Sequence, residues 1–340
     1  MEHVAGADLH KRVTQLALLR DGQPPSQARF ANDRASVEGA LTRLPAGTAI
    51  AVESTGSWWW FVDTARRLGH HVVLSHPKLT KAIAAARLKS DKVDALMLAR
   101  LLKADLLPMV WMPGARDRHL RELLAHRERV VRTRTAVINE LHALYGKRNL
   151  EVPRSLWHRT EPVPWHPDEL GGYGPRIAHE NVALLKALNE QIRGLDRSLK
   201  ALAQEDAEAR RLMTHPGVGA VTAVAVRAWV GDIHRFASAK HLVSYFGLAP
   251  RVRQSADTER HGHISKEGNR MVRTLLLQAA LSAVRYTGGP VRRHYLGVLK
   301  RRGKKIARIA ATAKLLGVLF QMMKQGLTYE ELHQRGGSTQ

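Results

Sequence analysis

Four acidic residues have the types and the spacing for metal-dependent chemistry at phosphorus. Asp91 and Asp94 are three positions apart, so a helix would place both carboxylates on one face. Asp8 and Glu53 lie at or just past the ends of two short apolar runs that read as strands. Carboxylate oxygens suit divalent cations such as Mg²⁺, and a pair of metal ions serves in-line displacement at phosphorus. The alternative for each acid taken alone is an ordinary solvated carboxylate.

The composition narrows the classes of partner. The 340 residues include 54 Lys and Arg against 30 Asp and Glu, a formal charge of +24. Such a surplus predicts a polyanionic partner, most simply nucleic acid bound through its phosphates. Cysteine is absent, which excludes disulfides and cysteine zinc sites. Because no apolar run reaches membrane-spanning length and no signal-peptide pattern is present, the sequence predicts a cytoplasmic protein without membrane contact.

The first 112 residues alternate short apolar strands with helices, which predicts an α/β layer around a central sheet. The predicted strands are two within residues 4–19, one over 48–53 and one over 71–74. The predicted helices cover 33–44, 58–68, 78–86 and 91–102. On this layout two of the four acids stand at strand ends and the other two on the last helix.

The order of these acids on a strand-first layout resembles the catalytic core of RNase H-like nucleases of the RuvC type. The sequence motifs around the acids are more specific: Gly-x-Asp, then Glu-Ser-Thr-Gly, then Lys-Ser-Asp-x-x-Asp-Ala. In this form the chain resembles the DEDD transposases of the insertion sequence 110 family, relatives of the Piv and MooV DNA invertases. The resemblance implies that Asp8, Glu53, Asp91 and Asp94 are catalytic and hold Mg²⁺, with Mn²⁺ as the alternative.

The sequence pattern of residues 113–213 predicts a helical arm. A basic helix is expected over 117–144 and a second helix over 177–213, joined by a segment rich in Pro, Trp and Gly. Two such helices suggest an antiparallel coiled coil that serves dimerisation and whose arginines meet nucleic acid. From periodicity alone, an ordinary helical domain with a solvated charged face fits equally well.

Two motifs further along resemble the C-terminal domain of the same family. They are Gly-Leu-Ala-Pro-Arg at 247–251 and Ile-Ser-Lys-Glu-Gly at 264–268. The nucleophilic serine of the family follows the first motif by a few residues, which makes Ser255 the candidate nucleophile. Ala256 stands where the family usually has glycine, and Ser265 is the alternative. A serine hydroxyl needs a base, a metal ion or a nearby cation before it can attack.

Basic side chains around these motifs predict contacts with phosphate. A Gly-Val-Gly turn at 217–219 opens a helix, as in a helix-hairpin-helix element whose backbone N–H groups hold a phosphate. The stretch 292–308 is rich in Lys and Arg and contains no acid; a solvated basic face is the alternative to nucleic-acid binding. The candidate nucleic-acid contacts are Arg251, Arg253, Lys266, Arg301, Arg302, Lys304 and Lys305.

The sequence thus predicts an α/β plus all-α chain in four parts. These are an RNase H-like (RuvC-type) domain at 1–112, an antiparallel coiled-coil arm at 113–213, a mainly helical C-terminal transposase domain with the serine at 214–330, and a tail at 331–340 that is disordered after His333.

The resemblance implies a transposase or site-specific DNA recombinase of a mobile element, with the acids and Ser255 in one composite site. Its implied partners are the DNA of the element ends and target, a structured guide RNA encoded by the element, and further copies of the chain in a dimer or tetramer. Two alternatives stay open from the residues. One is a RuvC-type junction nuclease that uses a metal-bound water, and the other is a non-catalytic nucleic-acid-binding protein.

Overall fold

The computed structural model describes residues 2–56, 58–83, 91–153, 156, 167–255, 258–285 and 289–337. Within these ranges the side chains of 91, 92, 252–255, 258–261, 336 and 337 lie outside the description, so the predictions for Asp91, Arg253 and Ser255 concern side chains that are not described. The chain divides into two compact units, residues 1–112 and 113–340.

A six-stranded mixed sheet forms the centre of the first unit. Its strands are β1 (His3–Leu9), β2 (Val13–Arg20), β3 (Ser26–Ala31), β4 (Ala49–Glu53), β5 (His71–Ser75) and β6 (Met109–Val110), in the order β3-β2-β1-β4-β5-β6. Its helices are α1 (Arg34–Thr42), α2 (Trp59–Arg67), α3 (Pro77–Ile83) and α4 (Asp91–Lys103). Strand β4 is parallel to β1 and β5, and the other pairs are antiparallel. The predicted α/β layer is confirmed.

The two faces of the sheet are covered by different helices, because side chains alternate along each strand. Ala5 and Ala7 of β1 face the core formed with α1 and α2, whose largest fully buried side chain is Phe61. Val4 and Ala49 belong instead to the core formed with α4. Helix α4 therefore covers the face of β1 that carries the even-numbered residues.

Gly6 allows α4 to lie directly on β1. A Cβ atom at this position would lie 2.1 Å from the carbonyl oxygen of Ala95 and 2.6 Å from the backbone nitrogen of Ala99. Both are backbone atoms of a helix and cannot rotate away as a flexible side chain would. The glycine of the Gly-x-Asp motif is therefore needed for the packing of α4 on β1.

Replacing Gly6 by alanine is expected to destabilise the first unit, since α4 must move off the sheet to admit the methyl group. Overpacking of this kind costs roughly 1–3 kcal/mol. Gly39→Ala within α1 is the matched control: nothing lies within 4 Å of its Cβ position, so a gain of about 0.4–1 kcal/mol is expected there. Thermal melting of both full-length variants measures the difference. A Gly6→Ala chain that melts with the parent would contradict the contact.

Two strands of this sheet were not predicted. Residues of β3 are exposed or half-exposed along its whole length, so it shows no apolar alternation. Strand β6 has two residues, too short for a pattern. The predicted helix start at Asp33 is confirmed, because the Asp33 carboxylate accepts a hydrogen bond from the backbone N–H of Ser36 at 2.9 Å.

The second unit is mostly helical with one β-hairpin. Its elements are α5 (Ala115–Gly146), α6 (Gly174–Glu205), α7 (Ala207–Met213), α8 (Ala220–Val230), α9 (Ala239–Tyr245), β7 (Pro250–Ser255), β8 (Thr258–Ile264), α10 (Arg270–Arg285), α11 (Pro290–Gln325) and α12 (Tyr329–Gly337). Short 3₁₀ turns cover Pro167–Leu170 and Ile233–Arg235.

Helices α5 and α6 run antiparallel. Arg127 bonds to Asp196, and Arg134, seven residues further along α5, bonds to Asn189, seven residues back along α6. Their inner ends share the core of the C-terminal helices, while their outer halves form a separate apolar cluster. Residues 113–213 thus do not separate from the rest of the second unit, and the coiled-coil character and dimerisation role of the pair stay predictions.

Two predicted boundaries are wrong. Helix α6 ends at Glu205 and not at Met213, because the Asp206 carboxylate accepts bonds from the backbone N–H groups of Glu208 and Ala209 and starts α7. The tail is helical to Gly337 and not disordered after His333. Thr328 and Glu331 form a capping box that starts α12, with the Glu331 carboxylate 2.7 Å from the Thr328 nitrogen.

Helix α11 is the one described helix that is long and apolar enough to cross a membrane by length and composition. Its most apolar window has a mean hydropathy of 1.4, but half of that window is buried within the unit. Leu315, Leu316 and Leu319 are fully buried in the core, which accounts for the hydropathy. At Gly303 the backbone leaves helical geometry (φ 76°, ψ 173°), so α11 is interrupted there.

Candidate active site

Asp8 and Glu53 share one face at one edge of the sheet. In the parallel pairing of β1 with β4, Ala7 lies beside Val52, so the next residues along the strands, Asp8 and Glu53, follow side by side at the carboxyl edge. Strand alternation puts Asp8 on the same face as Val4 and Gly6, the face covered by α4. Glu53 follows Ala49 and Ala51 of that core in the same way.

The direction of α4 brings Asp94 toward this edge. Leu101 and Leu102 pack at the start of the strands, in the cluster that contains Val4, whereas Ala95 lies over Gly6. Moving toward the amino end of α4 therefore moves toward the carboxyl ends of the strands, and Asp94 is the residue before Ala95. The backbone of Asp91 begins the helix one turn earlier. The two strand acids and the start of α4 thus lie toward one edge of the sheet, and the assignment of all four acids to one site stays a prediction.

The carboxylates do not form a finished coordination shell. Among the described residues no three His, Asp or Glu side chains are grouped closely enough to hold a metal ion. Like carboxylates repel one another, and the Asp8 carboxylate lies against His10, with Oδ2 3.0 Å from the ring Nε2. The chemistry of the donor set nevertheless fits a hard divalent cation, because all four candidate residues carry carboxylate oxygens. Asp8, Glu53, Asp91 and Asp94 are the residues that would hold it.

Sequence reasoning missed two neighbours of Asp8. His10 follows the end of β1, where alternation no longer indicates direction. Gln15 pairs directly with Asp8 in the antiparallel register of β2 and is only 3% exposed. A polar residue inside an apolar run was the available signal for Gln15, since such residues are rarely buried without a partner.

The two C-terminal motifs interlock at the base of the β7–β8 hairpin. Gly247 has φ +68°, and a Cβ there would lie 1.8 Å from the carbonyl oxygen of Glu267. Gly268 has φ +79°, and a Cβ there would lie 2.2 Å from the carbonyl oxygen of Tyr245. Arg273 bonds across the joint, donating to the carbonyls of Glu267 at 2.8 Å and Phe246 at 3.3 Å. The glycines of both motifs are therefore required by one close backbone contact.

The two candidate serines lie at opposite ends of this hairpin. Ser255 is the last residue of β7 and pairs with Thr258 next to the turn. Ser265 lies at the base, where its backbone N–H donates to the carbonyl of Ala249 at 2.9 Å. The Ser265 hydroxyl accepts from the N–H of Glu267 at 3.4 Å, a local structural bond. The choice of Ser255 as the nucleophile stays a prediction.

The basic residues fall into two exposed groups. Arg251 lies at the hairpin base and donates to the carbonyl of Ser265 at 3.1 Å, and Lys266 beside it has a positive φ of 58°. The side chain of Arg253 lies outside the described residues. The other group flanks the interruption at Gly303 in α11 and consists of Arg301, Arg302, Lys304 and Lys305, all exposed. Contact of either group with nucleic acid stays a prediction.

Several arginines of α5 form hydrogen bonds with other helices of the second unit. Arg127 and Arg134 bond to α6. Arg121 donates to the carbonyls of Ala228 and Trp229 at the end of α8, at 3.0 and 3.4 Å. Burial lowers the pKa of Arg121, the cost of holding a cation there. These three side chains stabilise helix packing, and contact of the solvent-facing arginines of α5 with nucleic acid stays a prediction.

The glycine turn before α8 has mixed roles. Gly217 has φ +94°, and a Cβ there would lie 2.5 Å from the carbonyl oxygen of Ala279, so this glycine serves packing against α10. At Gly219, which caps α8, nothing lies within 4 Å of the Cβ position. The turn therefore leaves the start of α8 open, as the predicted phosphate contact requires, but no described contact tests it.

His215, at the start of this turn, is expected to make the second unit less stable in acid. Its ring is buried against Tyr329 of α12, with centroids 4.5 Å apart, and burial lowers its pKa from 6.5 to about 4. Since the unfolded chain binds the proton more readily, this contribution to stability is full above pH 6.5 and is lost as the pH falls toward 4. The shift corresponds to about 3 kcal/mol.

We therefore expect His215→Phe to flatten the fall in melting temperature between pH 7 and pH 4.5, because phenylalanine keeps the ring contact and carries no proton. His126→Phe, an exposed histidine on α5, should leave the pH dependence unchanged. Melting curves of the three chains across this range provide the measurement. Parallel pH profiles for the parent chain and His215→Phe would show that His215 is not the responsible group.

Two family models match the chain. One, described as the transposase IS116/IS110/IS902 family, matches residues 209–296. The other, a DEDD transposase model of the IS110 type, matches residues 5–145. The match over residues 5–145 contains the four candidate acids, and the match over residues 209–296 contains the hairpin with both candidate serines.

Full-length relatives carry names of the same kind. The chain is 29% identical to the transposase for insertion sequence element IS1111A of Coxiella burnetii, over 96% of this chain and 91% of the relative. It is 30% identical to a "Probable family 20 transposase" of Pseudomonas aeruginosa, over 95% of this chain and 97% of the relative. It is also 28% identical to the pilin gene-inverting protein of Moraxella lacunata, over 83% and 82% of the two chains.

Proposed function

The chain belongs to the IS116/IS110/IS902 family of transposases, and from this premise we propose that it cuts and rejoins DNA through a metal-assisted serine nucleophile. The observation that carries the proposal is the shared face of Asp8 and Glu53 at the carboxyl edge of adjacent parallel strands. The amino-terminal turn of α4, with Asp91 and Asp94, is directed at the same edge.

The acids act as the metal-holding group. Asp8, Glu53, Asp91 and Asp94 contribute carboxylate oxygens from two strands and one helix. Bound Mg²⁺ or Mn²⁺ would offset the negative charge that develops on the scissile phosphate. The helix–strand contact at Gly6 sets how closely α4 can approach β1, because neither backbone can move closer.

Ser255 supplies the nucleophile. Its hydroxyl gives up a proton, its oxygen bonds to phosphorus, and the bond from phosphorus to one deoxyribose oxygen breaks, with the departing oxygen taking up a proton. The phosphoserine link conserves the bond energy, so a hydroxyl of another DNA end can attack the same phosphorus and release the serine. Arg251 and Lys266 lie at the opposite end of the hairpin from Ser255, and they are the proposed contacts for neighbouring phosphates of the bound DNA.

Sequence choice is assigned to a structured RNA encoded by the element, which pairs with the target and donor DNA. The support is the large positive charge of the chain combined with the family resemblance: phosphate contacts bind nucleic acid without reading its sequence. The exposed cations around Gly303 are the proposed phosphate contacts of the second unit. A dimer or tetramer of the chain is the proposed working form.

A covalent-trapping assay tests the proposal. Full-length protein, the RNA from the element's flank, labelled DNA carrying the element junction and Mg²⁺ are mixed and run on a denaturing gel. We expect a protein–DNA adduct and rejoined DNA, both lost with a chelator, and rejoining lost without the RNA. Hydrolysed ends without an adduct would indicate a junction nuclease that uses water. DNA binding without cleavage under all conditions would indicate a non-catalytic binding protein.

A further inference from the structure

The loop between β1 and β2 is held in place by several hydrogen bonds. The backbone N–H of His10 donates to the carbonyl of Val13 at 3.0 Å and closes the turn. The side-chain amide of Asn32 donates to the carbonyl of His10 at 2.7 Å, and the backbone N–H of Asn32 donates to the carbonyl of Arg12 at 2.9 Å. Three hydrogen bonds thus hold a loop of three residues.

Asn32 is itself held from the interior of the sheet. The Thr14 hydroxyl donates to the Asn32 side-chain oxygen at 2.6 Å, and Thr14 is fully buried. The amide group of Asn32 is therefore oriented from both ends, with its oxygen toward Thr14 and its nitrogen toward His10. The backbone of His10 cannot shift without breaking a partly buried hydrogen bond.

This loop directs the His10 ring at a predicted metal ligand. The side chain of His10 is 41% exposed, yet its Nε2 atom is buried and lies 3.0 Å from Oδ2 of Asp8. The Asp8 side chain is only 15% exposed. A ring nitrogen on a fixed loop therefore lies in close contact with one carboxylate oxygen of Asp8, which restricts the orientation of the carboxylate.

We infer that His10 is a positioning residue for Asp8: it restricts the orientation of the carboxylate that would bind the divalent cation. Partners of this kind orient ligating carboxylates, and their loss weakens metal affinity by roughly 10- to 100-fold. The inference rests on the proposed function, because it assigns to Asp8 the role of a metal ligand. His10 acts through Asp8 and needs no contact with DNA.

The test measures Mn²⁺ binding by the full-length protein, with unbound Mn²⁺ followed by electron paramagnetic resonance. His10→Ala is expected to weaken binding by roughly 10- to 100-fold. His10→Gln, whose amide N–H can replace the ring Nε2, should recover most of the affinity. His71→Ala, an exposed histidine on β5 of the same unit, is the matched control and should bind as the parent does. Melting temperatures without metal should agree for all four chains.

The outcomes separate the inference from the proposed function. If Asp8→Asn weakens Mn²⁺ binding but His10→Ala does not, His10 does not position the ligand and the inference fails alone. Equal losses in His10→Ala and His71→Ala, or a matching fall in melting temperature, would reduce His10 to a structural residue. If Asp8→Asn binds Mn²⁺ as the parent does, the metal site itself is misplaced and the inference falls with it.

Discussion

Replacing Ser255 by alanine is expected to abolish the covalent protein–DNA adduct and the rejoined product. Without its hydroxyl the chain has no oxygen at this position to bond to phosphorus, so no phosphoserine forms and no bond energy is conserved. Loss of a nucleophile lowers a rate by at least about 10³-fold. The adduct band on a denaturing gel, with DNA binding followed in parallel by gel shift, measures both effects.

Ser265→Ala is the matched control for this substitution. Its hydroxyl makes one local bond to the N–H of Glu267 at the hairpin base, so we expect a small loss of stability and an intact adduct. An adduct that survives in Ser255→Ala and disappears in Ser265→Ala would move the nucleophile to the hairpin base. Cleavage that continues in both variants without an adduct would mean that water attacks, as in a nuclease.

Asp94→Asn is expected to stop DNA cleavage while DNA binding is retained. Asparagine keeps the shape of the side chain but removes the negative charge that attracts the cation. Since the metal supplies several kcal/mol of transition-state stabilisation, we expect a rate loss of roughly 10³-fold or more. The rate of adduct formation at saturating DNA, measured at several Mg²⁺ and Mn²⁺ concentrations, is the readout.

Asp105→Asn provides the same chemical change just beyond the end of α4. Asp105 is exposed and has φ +56°, a conformation that asparagine tolerates well, so fold and activity should persist. A similar rate loss in both variants would point to a general effect of charge on DNA binding. Normal cleavage by Asp94→Asn would remove α4 from the metal site.

Local patterns in the sequence are sufficient for many elements of this protein. Alternating and continuous apolar runs located four of the six strands of the sheet, because burying one face of a strand imposes a period that can be read directly. Asp33 correctly indicated the start of a helix, because an aspartate can cap a helix with its carboxylate. The same reasoning failed at β3, whose residues stay exposed and so carry no period.

Two further errors came from capping residues that the sequence did contain. Asp206 interrupts the apolar stripe that would have continued α6 into α7, and Thr328 with Glu331 starts a helix where composition suggested a disordered tail. In both cases the hydrogen bonds of one or two capping side chains outweighed the average character of the segment. Capping bonds of this kind contribute about 1 kcal/mol each, which is enough to set a boundary.

Some features of the candidate site could be predicted from the sequence, and others depend on the tertiary structure. Residue types, spacing and motif wording determined which acids and serines to consider, since metal ligation and nucleophilic attack demand particular side chains. Only the tertiary structure decided that Asp8 and Glu53 share the face covered by α4, that Gly6 admits this helix, and that His10 lies against Asp8. The physical reason is that the spacing of apolar residues along the chain indicates which side chains are buried. Which residues a buried side chain contacts depends instead on the distant helix or strand that packs against it.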